Sequence, residues 1–147
     1  MIIVSACLCG INSRYDGDSN KNEKVFNLLK EGKAIPVCPE QLGGMCTPRP
    51  AHEIYKGTGK DVIEGRAKVI SKEGGDGTEY FIRGAYETLK IAKECGVKVT
   101  ILKAKSPSCG YGKIYDGSFT GNKIDGNGVT AELLESNGIK VYTENDI

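Results

Sequence analysis

Tryptophan is absent from this sequence, histidine occurs once, at His52, and methionine twice. No stretch approaches the run of about 18 apolar residues that a membrane-crossing helix needs. Neither sign of charge dominates: 20 Lys and Arg stand against 19 Asp and Glu, a formal net charge of +1. Binding nucleic acid or an acidic membrane through bulk charge requires a clear cationic excess, so neither is expected as the main partner. The apolar opening carries no basic residue before it and is polar from Asn12. It is too short for a secretory leader. The chain is therefore expected in the cytoplasm, where disulfides are rare, and its six Cys call for metal binding, catalysis or plain burial.

A hydrophobic fraction of 39% with 27% charged residues is ordinary for a globular domain and argues against disorder. At 147 residues the chain is expected to be one domain, 1–147, with one core. Short apolar runs at 2–6, 34–37, 97–102 and 139–142 read as buried strands. Between them lie amphipathic segments. Val25, Leu28 and Leu29 share a helical face after a capping box expected at Asn20 and Glu23. Ile82, Ala85, Leu89 and Ala92 repeat at helical spacing after a second box expected at Asp76 and Glu79. Residues 130–136 suit a short helix, 113–126 a hairpin or loop, and 62–71 a pair of strands. This alternation predicts an α/β fold: a mainly parallel sheet flanked by helices, Rossmann-like, in three layers.

In such sheets ligands sit beyond the carboxyl ends of the strands. Cys7, Cys38 and Cys109 each follow a predicted strand, so parallel pairing carries all three thiols off one sheet edge. Their separations, 31 and 71 residues, match no zinc-finger or ferredoxin run. Three soft thiolates suit zinc or an iron–sulfur cluster. A zinc ion would also need His52, a carboxylate or a fourth Cys. A cubane cluster held by three Cys keeps one iron open as a Lewis acid. Three small buried side chains are the plainer alternative.

Several further residues stand where such a site needs them. Glu40 follows Cys38 by two positions and can activate water. Ser106 and Ser108 flank Pro107 just before Cys109. Either hydroxyl can serve substrate or sulfur, or cap the next turn, and Ser106 is the first choice. Arg14 and Asp16 lie in the loop after the first strand, as ligand-binding groups or as a loop staple. Arg49, stiffened between Pro48 and Pro50, can orient a substrate carbonyl. His52 reads as a satisfied or surface histidine, and Lys103 and Lys105 mark a strand end.

One ordered set of motifs goes further. It comprises Val4-Ser5-Ala6-Cys7-Leu8-Cys9-Gly10, Arg14-Tyr15-Asp16-Gly17, Pro36-Val37-Cys38-Pro39-Glu40, Gly43-Gly44 with Thr47-Pro48-Arg49-Pro50, Ser106-Pro107-Ser108-Cys109-Gly110, and Gly126-Asn127-Gly128-Val129-Thr130-Ala131. Together these resemble the domain family that includes the 2-thiouracil desulfurases, from near residue 2 to near residue 142. The resemblance implies a 4Fe–4S cluster on Cys7, Cys38 and Cys109. It implies a small thiolated pyrimidine whose thiocarbonyl sulfur meets the open iron and is replaced by oxygen from water, with sulfide released. It implies a Glu and a Ser as acid/base helpers, here Glu40 with Ser106 or Ser108. Arg14, Asp16 and Arg49 are the candidates for binding substrate.

Cys9, Cys46 and Cys95 exceed that three-Cys pattern. They are expected to be dispensable for the cluster, with Cys95 in the helix–sheet core and Cys9 carried away by a turn at Gly10. A fourth thiolate on the cluster would close the open iron. The alternatives to an enzyme are a non-catalytic carrier of metal or sulfur, which needs thiols but no water-activating carboxylate, and a zinc-stabilised binding domain.

Overall fold

The computed structural model describes residues 1–147. Four strands form a parallel sheet: β1 (Ile2–Ser5), β2 (Ala34–Val37), β5 (Val99–Leu102) and β8 (Lys140–Thr143), in the order β2-β1-β5-β8. Their apolar runs carry no polar face because both faces are covered. Ile3, Val37, Leu102 and Val141 join a core of 20 buried residues on one side. Val4, Ala34 and Ile101 join a smaller cluster of six on the other.

The larger core is closed by α4 (Thr78–Glu94) and α5 (Val129–Ser136). The smaller is closed by α1 (Glu23–Lys30), which buries Val25 and packs Leu28 and Leu29 against it. Helix, sheet, helix: the expected three-layer α/β architecture is the one observed. Two antiparallel pairs lie outside the main sheet. β3 (His52–Tyr55) pairs with β4 (Lys68–Ser71), and β6 (Lys113–Tyr115) pairs with β7 (Lys123–Asp125) as the hairpin expected within 113–126.

Residues 62–71 depart from expectation, because only their second half is a strand. Val62 belongs to the short helix α3 (Gly59–Ile63), where it is buried. Gly59 makes this possible, since a Cβ there would sit 2.4 Å from the Gly128 carbonyl oxygen. The expected capping boxes also shift. Asn22, not Asn20, caps α1, its Oδ1 accepting the amides of Lys24 and Val25 at 3.0 and 3.3 Å. Asp76 precedes the Gly77 cap of α4 and accepts the amide and hydroxyl of Thr78. The buried stripe of α4 is headed by Phe81, with Ile82 only partly covered.

Cys95 is exposed, contrary to the expected core position. Each step of three residues turns back by about 60° on an α-helix, so two such steps from Leu89 leave the buried face. The helix also ends there, with Cys95 as its C-terminal cap.

One close approach sets the position of a short helix. A Cβ on Gly84 would lie 1.8 Å from the Pro39 carbonyl oxygen, so α4 touches the backbone of α2 (Pro39–Leu42). That contact seats the short helix that carries Glu40.

Candidate active site

Three strands of the parallel sheet end at one cavity of about 550 Å³, and each delivers a cysteine to it. Cys7 sits in the 3₁₀ turn after β1, Cys38 caps α2 directly after β2, and Cys109 closes the loop after β5. All three side chains line the cavity. Cys109 is buried, and Cys7 and Cys38 are half-buried. Burial pushes every one of these thiols up from its ordinary value, Cys109 to about 12. Opposing polar contacts are specific to each: Asn20 beside Cys7, backbone amides of α2 and Arg49 beside Cys38, and Ser5 and Ser108 beside Cys109.

Three thiols lining one cavity make a soft donor set whose chemistry fits an iron–sulfur group. The same three thiols share one cavity, where thiolates are costly unless a strong local positive charge offsets the lost hydration. A polynuclear iron group supplies that charge over a wider span.

Glu40 stands on the first turn of α2. Its Oε1 accepts the Arg49 Nε–H at 2.9 Å, and its Oε2 accepts the Ser108 hydroxyl at 3.2 Å. The Ser108 Oγ also lies 3.5 Å from the Cys109 sulfur, so one hydroxyl faces both the carboxylate and a thiol. Ser106 has a different task. Its Oγ accepts the Cys109 amide at 2.8 Å and shapes the loop that presents that cysteine. Of the two serines, Ser108 is the one whose hydroxyl meets Glu40.

Arg14 reaches the cavity rim, donating to Asn20 Oδ1 at 3.1 Å and pairing with Asp16 at 3.1 Å. Asp16 itself does not line the cavity. Its carboxylate holds Arg14 and accepts the Asp18 amide. His52 is satisfied, with Nδ1 at 2.8 Å from the Pro50 carbonyl oxygen and its ring against Phe81. Lys103 lines the cavity on the Cys7 side, paired with Glu144 at 2.7 Å, whereas Lys105 is exposed. Asn20, Ser5 and Ser13 were not singled out from sequence. Asn20 carried a signal that pointed to a helix cap, and the two serines carried none.

Of the extra cysteines, Cys9 lies in the same 3₁₀ turn as Cys7 and is buried in the smaller core cluster. Cys46 is exposed and donates its S–H to the Pro48 carbonyl at 3.2 Å. Neither lines the cavity.

A thiol trio thus stands beside a carboxylate–hydroxyl pair at the carboxyl edge of the parallel sheet of a Rossmann-like fold. The chain belongs to the 2-thiouracil desulfurase family, whose model matches residues 2–146. This is the family to which the ordered motifs pointed. The uncharacterized protein YbbK of Bacillus subtilis (strain 168) is 50% identical over 147 residues, 100% of this chain and 97% of that one. Among solved structures, the 4Fe-4S-dependent thiouracil desulfidase TudS is similar at a TM-score of 0.87 and 40% identity, over 99% of this chain and 91% of that one. No helix here is long and apolar enough to cross a membrane.

Proposed function

We propose that this protein is an iron–sulfur-dependent desulfidase. It replaces the thiocarbonyl sulfur of a small thiolated pyrimidine, 2-thiouracil in the first instance, by oxygen from water. The observation that carries this reading is the Glu40–Ser108 pair at 3.2 Å, standing where Cys7, Cys38 and Cys109 meet. A carrier of metal or sulfur would use the thiols and leave that pair without a task.

Cys7, Cys38 and Cys109 would hold the cluster, which would supply soft Lewis-acid chemistry towards the thiocarbonyl sulfur. The residues of the chain manage water and protons. Glu40 Oε2 takes a proton as a water oxygen bonds to the carbon that carries sulfur. The Ser108 hydroxyl, bonded to the same oxygen, passes a proton towards the ring nitrogen or the departing sulfur and recovers one from Glu40. The balance is one C–O bond formed and one C–S bond broken: thiouracil plus water gives uracil plus hydrogen sulfide, with no net oxidation.

The test is anaerobic reconstitution followed by assays of iron, uracil and sulfide. Wild type is expected to bind about four irons and to convert 2-thiouracil. Single Ala variants of Cys7, Cys38 and Cys109 are expected to lose the cluster, and the triple variant Cys9→Ala, Cys46→Ala, Cys95→Ala to keep it. Glu40→Gln keeps the iron and loses roughly 10² to 10⁴ in turnover, the usual contribution of a general base. Full turnover in Glu40→Gln at equal iron would remove Glu40 from the mechanism. A fully loaded wild type inert towards thiolated pyrimidines would end the reading.

A further inference from the structure

Arg49 is the one charged residue among the buried side chains, and its side chain is only 3% exposed. A guanidinium has five N–H donors in a fixed planar fork. Here every one is spent. Nε donates to Glu40 Oε1 at 2.9 Å. Nη1 donates to the Thr47 hydroxyl at 2.8 Å and the Cys46 carbonyl at 3.4 Å. Nη2 donates to the Ser13 carbonyl at 2.8 Å and the Cys38 sulfur at 3.8 Å. The Arg49 amide adds a bond to the Tyr15 carbonyl at 2.8 Å.

We propose that Arg49 is the positioning residue of this site: its guanidinium binds Glu40 and Cys38 into one rigid unit and does not itself hold the substrate. The proposal rests on the roles given above to Glu40 and Cys38. A substrate-orienting arginine needs a free N–H, and this one has none to give. Its contacts join the loop after β1, through Ser13 and Tyr15, to the start of α2 after β2. The grip on Glu40 is one-sided, which gives it a catalytic consequence. With Oε1 held by Nε, the carboxylate cannot turn, and Oε2 stays directed at Ser108. One planar group therefore sets both the distance of the acid/base oxygen and the seat of a thiol ligand. Lysine cannot reproduce this, because an ammonium is a point charge with three donors and no fork.

The experiment compares wild type, Arg49→Lys, Glu40→Gln and the double variant, all reconstituted without oxygen and normalised to iron. Arg49→Lys is expected to load the cluster and to lose about 10²-fold in kcat, the scale of a misplaced catalytic group. Its KM for 2-thiouracil is expected to stay within about threefold, since no binding contact is lost. In the Glu40→Gln background the same change should cost less than about threefold, because it acts through Glu40. The reduction potential should move to a more negative value, because a hydrogen bond to a ligand sulfur is removed.

A raised KM with kcat kept would make Arg49 a substrate-binding residue and overturn the proposal. Losses that multiply in the double variant, or an unchanged kcat at equal iron, would overturn it too. Should Arg49→Lys not load, Thr47→Val removes the hydroxyl that accepts from Nη1 and from the Gln41 side-chain amide, leaves every charge in place, and carries the same kcat-against-KM test at smaller amplitude, with Gln41→Ala as the control for the second bond. The potential is read without substrate. If loaded wild type leaves 2-thiouracil intact, the proposed function falls, and the potential of Arg49→Lys still decides the clamp, an unchanged value overturning it.

Discussion

Two arginine–carboxylate pairs in this protein look alike on paper and differ in what surrounds them. In the cavity wall, Arg49 meets Glu40 at 2.9 Å with side chains 3% and 14% exposed. At the start of α3, Arg66 meets Asp61 at 2.8 Å with side chains 56% and 29% exposed. Water screens the second pair, so its net worth is small. The first pair is largely withdrawn from water, so each partner depends more on the other. The carboxylates differ in the same sense. Asp61 also accepts the Thr58 amide at 2.9 Å and serves a helix start. Glu40 keeps one oxygen for a hydroxyl that touches a thiol. Two ion pairs of similar length thus make a local staple at one place and part of a cavity wall at the other.

Three experiments break or sharpen that contrast. The largest effect is expected from Arg49→Met, which leaves Glu40 in the wall without its counter-charge. It should lower the unfolding free energy of the cluster-free protein by about 3 kcal/mol in urea titrations, the lower range for a broken buried pair. Adding Glu40→Leu should recover most of that loss while leaving no activity. A double variant as unstable as the single one would show that packing of the guanidinium, not its charge, is what counts.

Gly84→Ala should come next. Its methyl group meets the Pro39 carbonyl, so α2 must retreat, at a cost of about 1–3 kcal/mol for overpacking. Because α2 carries Glu40, turnover per loaded cluster should fall as well. Stability lost with turnover intact would separate the helix contact from the site.

The smallest effect is expected from Asp61→Asn, about 1 kcal/mol or less at neutral pH. The Thr58 amide, then the Arg66 side chain, hold the Asp61 carboxyl below its ordinary value of 3.8. A depressed value means that the contribution is present above pH 3.8 and fades as pH falls through the folded-state value. The gap between wild type and variant should therefore close on acidification below about pH 4, with turnover per cluster unaffected.

Much of the fold was legible because the signals were local and unopposed. Residues 2–6, 34–37 and 97–102 are apolar runs bounded by turns, and a strand buried on both faces has no other way to look. Residues 62–71 misled because Val62 and Ile63 carry strand-like side chains, while the helix there depends on Gly59 packing against Gly128, a contact far off in sequence. Asn20 and Asp76 misled for a related reason. Each has the chemistry of a cap and an acceptor three positions on, but a neighbouring residue, Asn22 in one case and Gly77 in the other, holds the cap position. Spacing from Ala92 alone points Cys95 to the core, but the drift over two short steps carries it off that face.

The sequence by itself determined which residue types the site contains and on which edge of the sheet they meet. Three cysteines after three parallel strands have one edge available to them, and the ordered motifs around them belong to one family. What those residues do to one another was decided only by tertiary structure. Glu40 and Ser108 lie 68 positions apart, and no spacing rule says that Ser108, and not Ser106, turns its hydroxyl to the carboxylate. Arg49 between two prolines suggested a hand held out to substrate, and its five donors prove to be spent inside the wall. The reason is physical: hydrogen-bond partners are chosen by direction and burial among chain segments that meet only on folding, and a linear sequence carries neither.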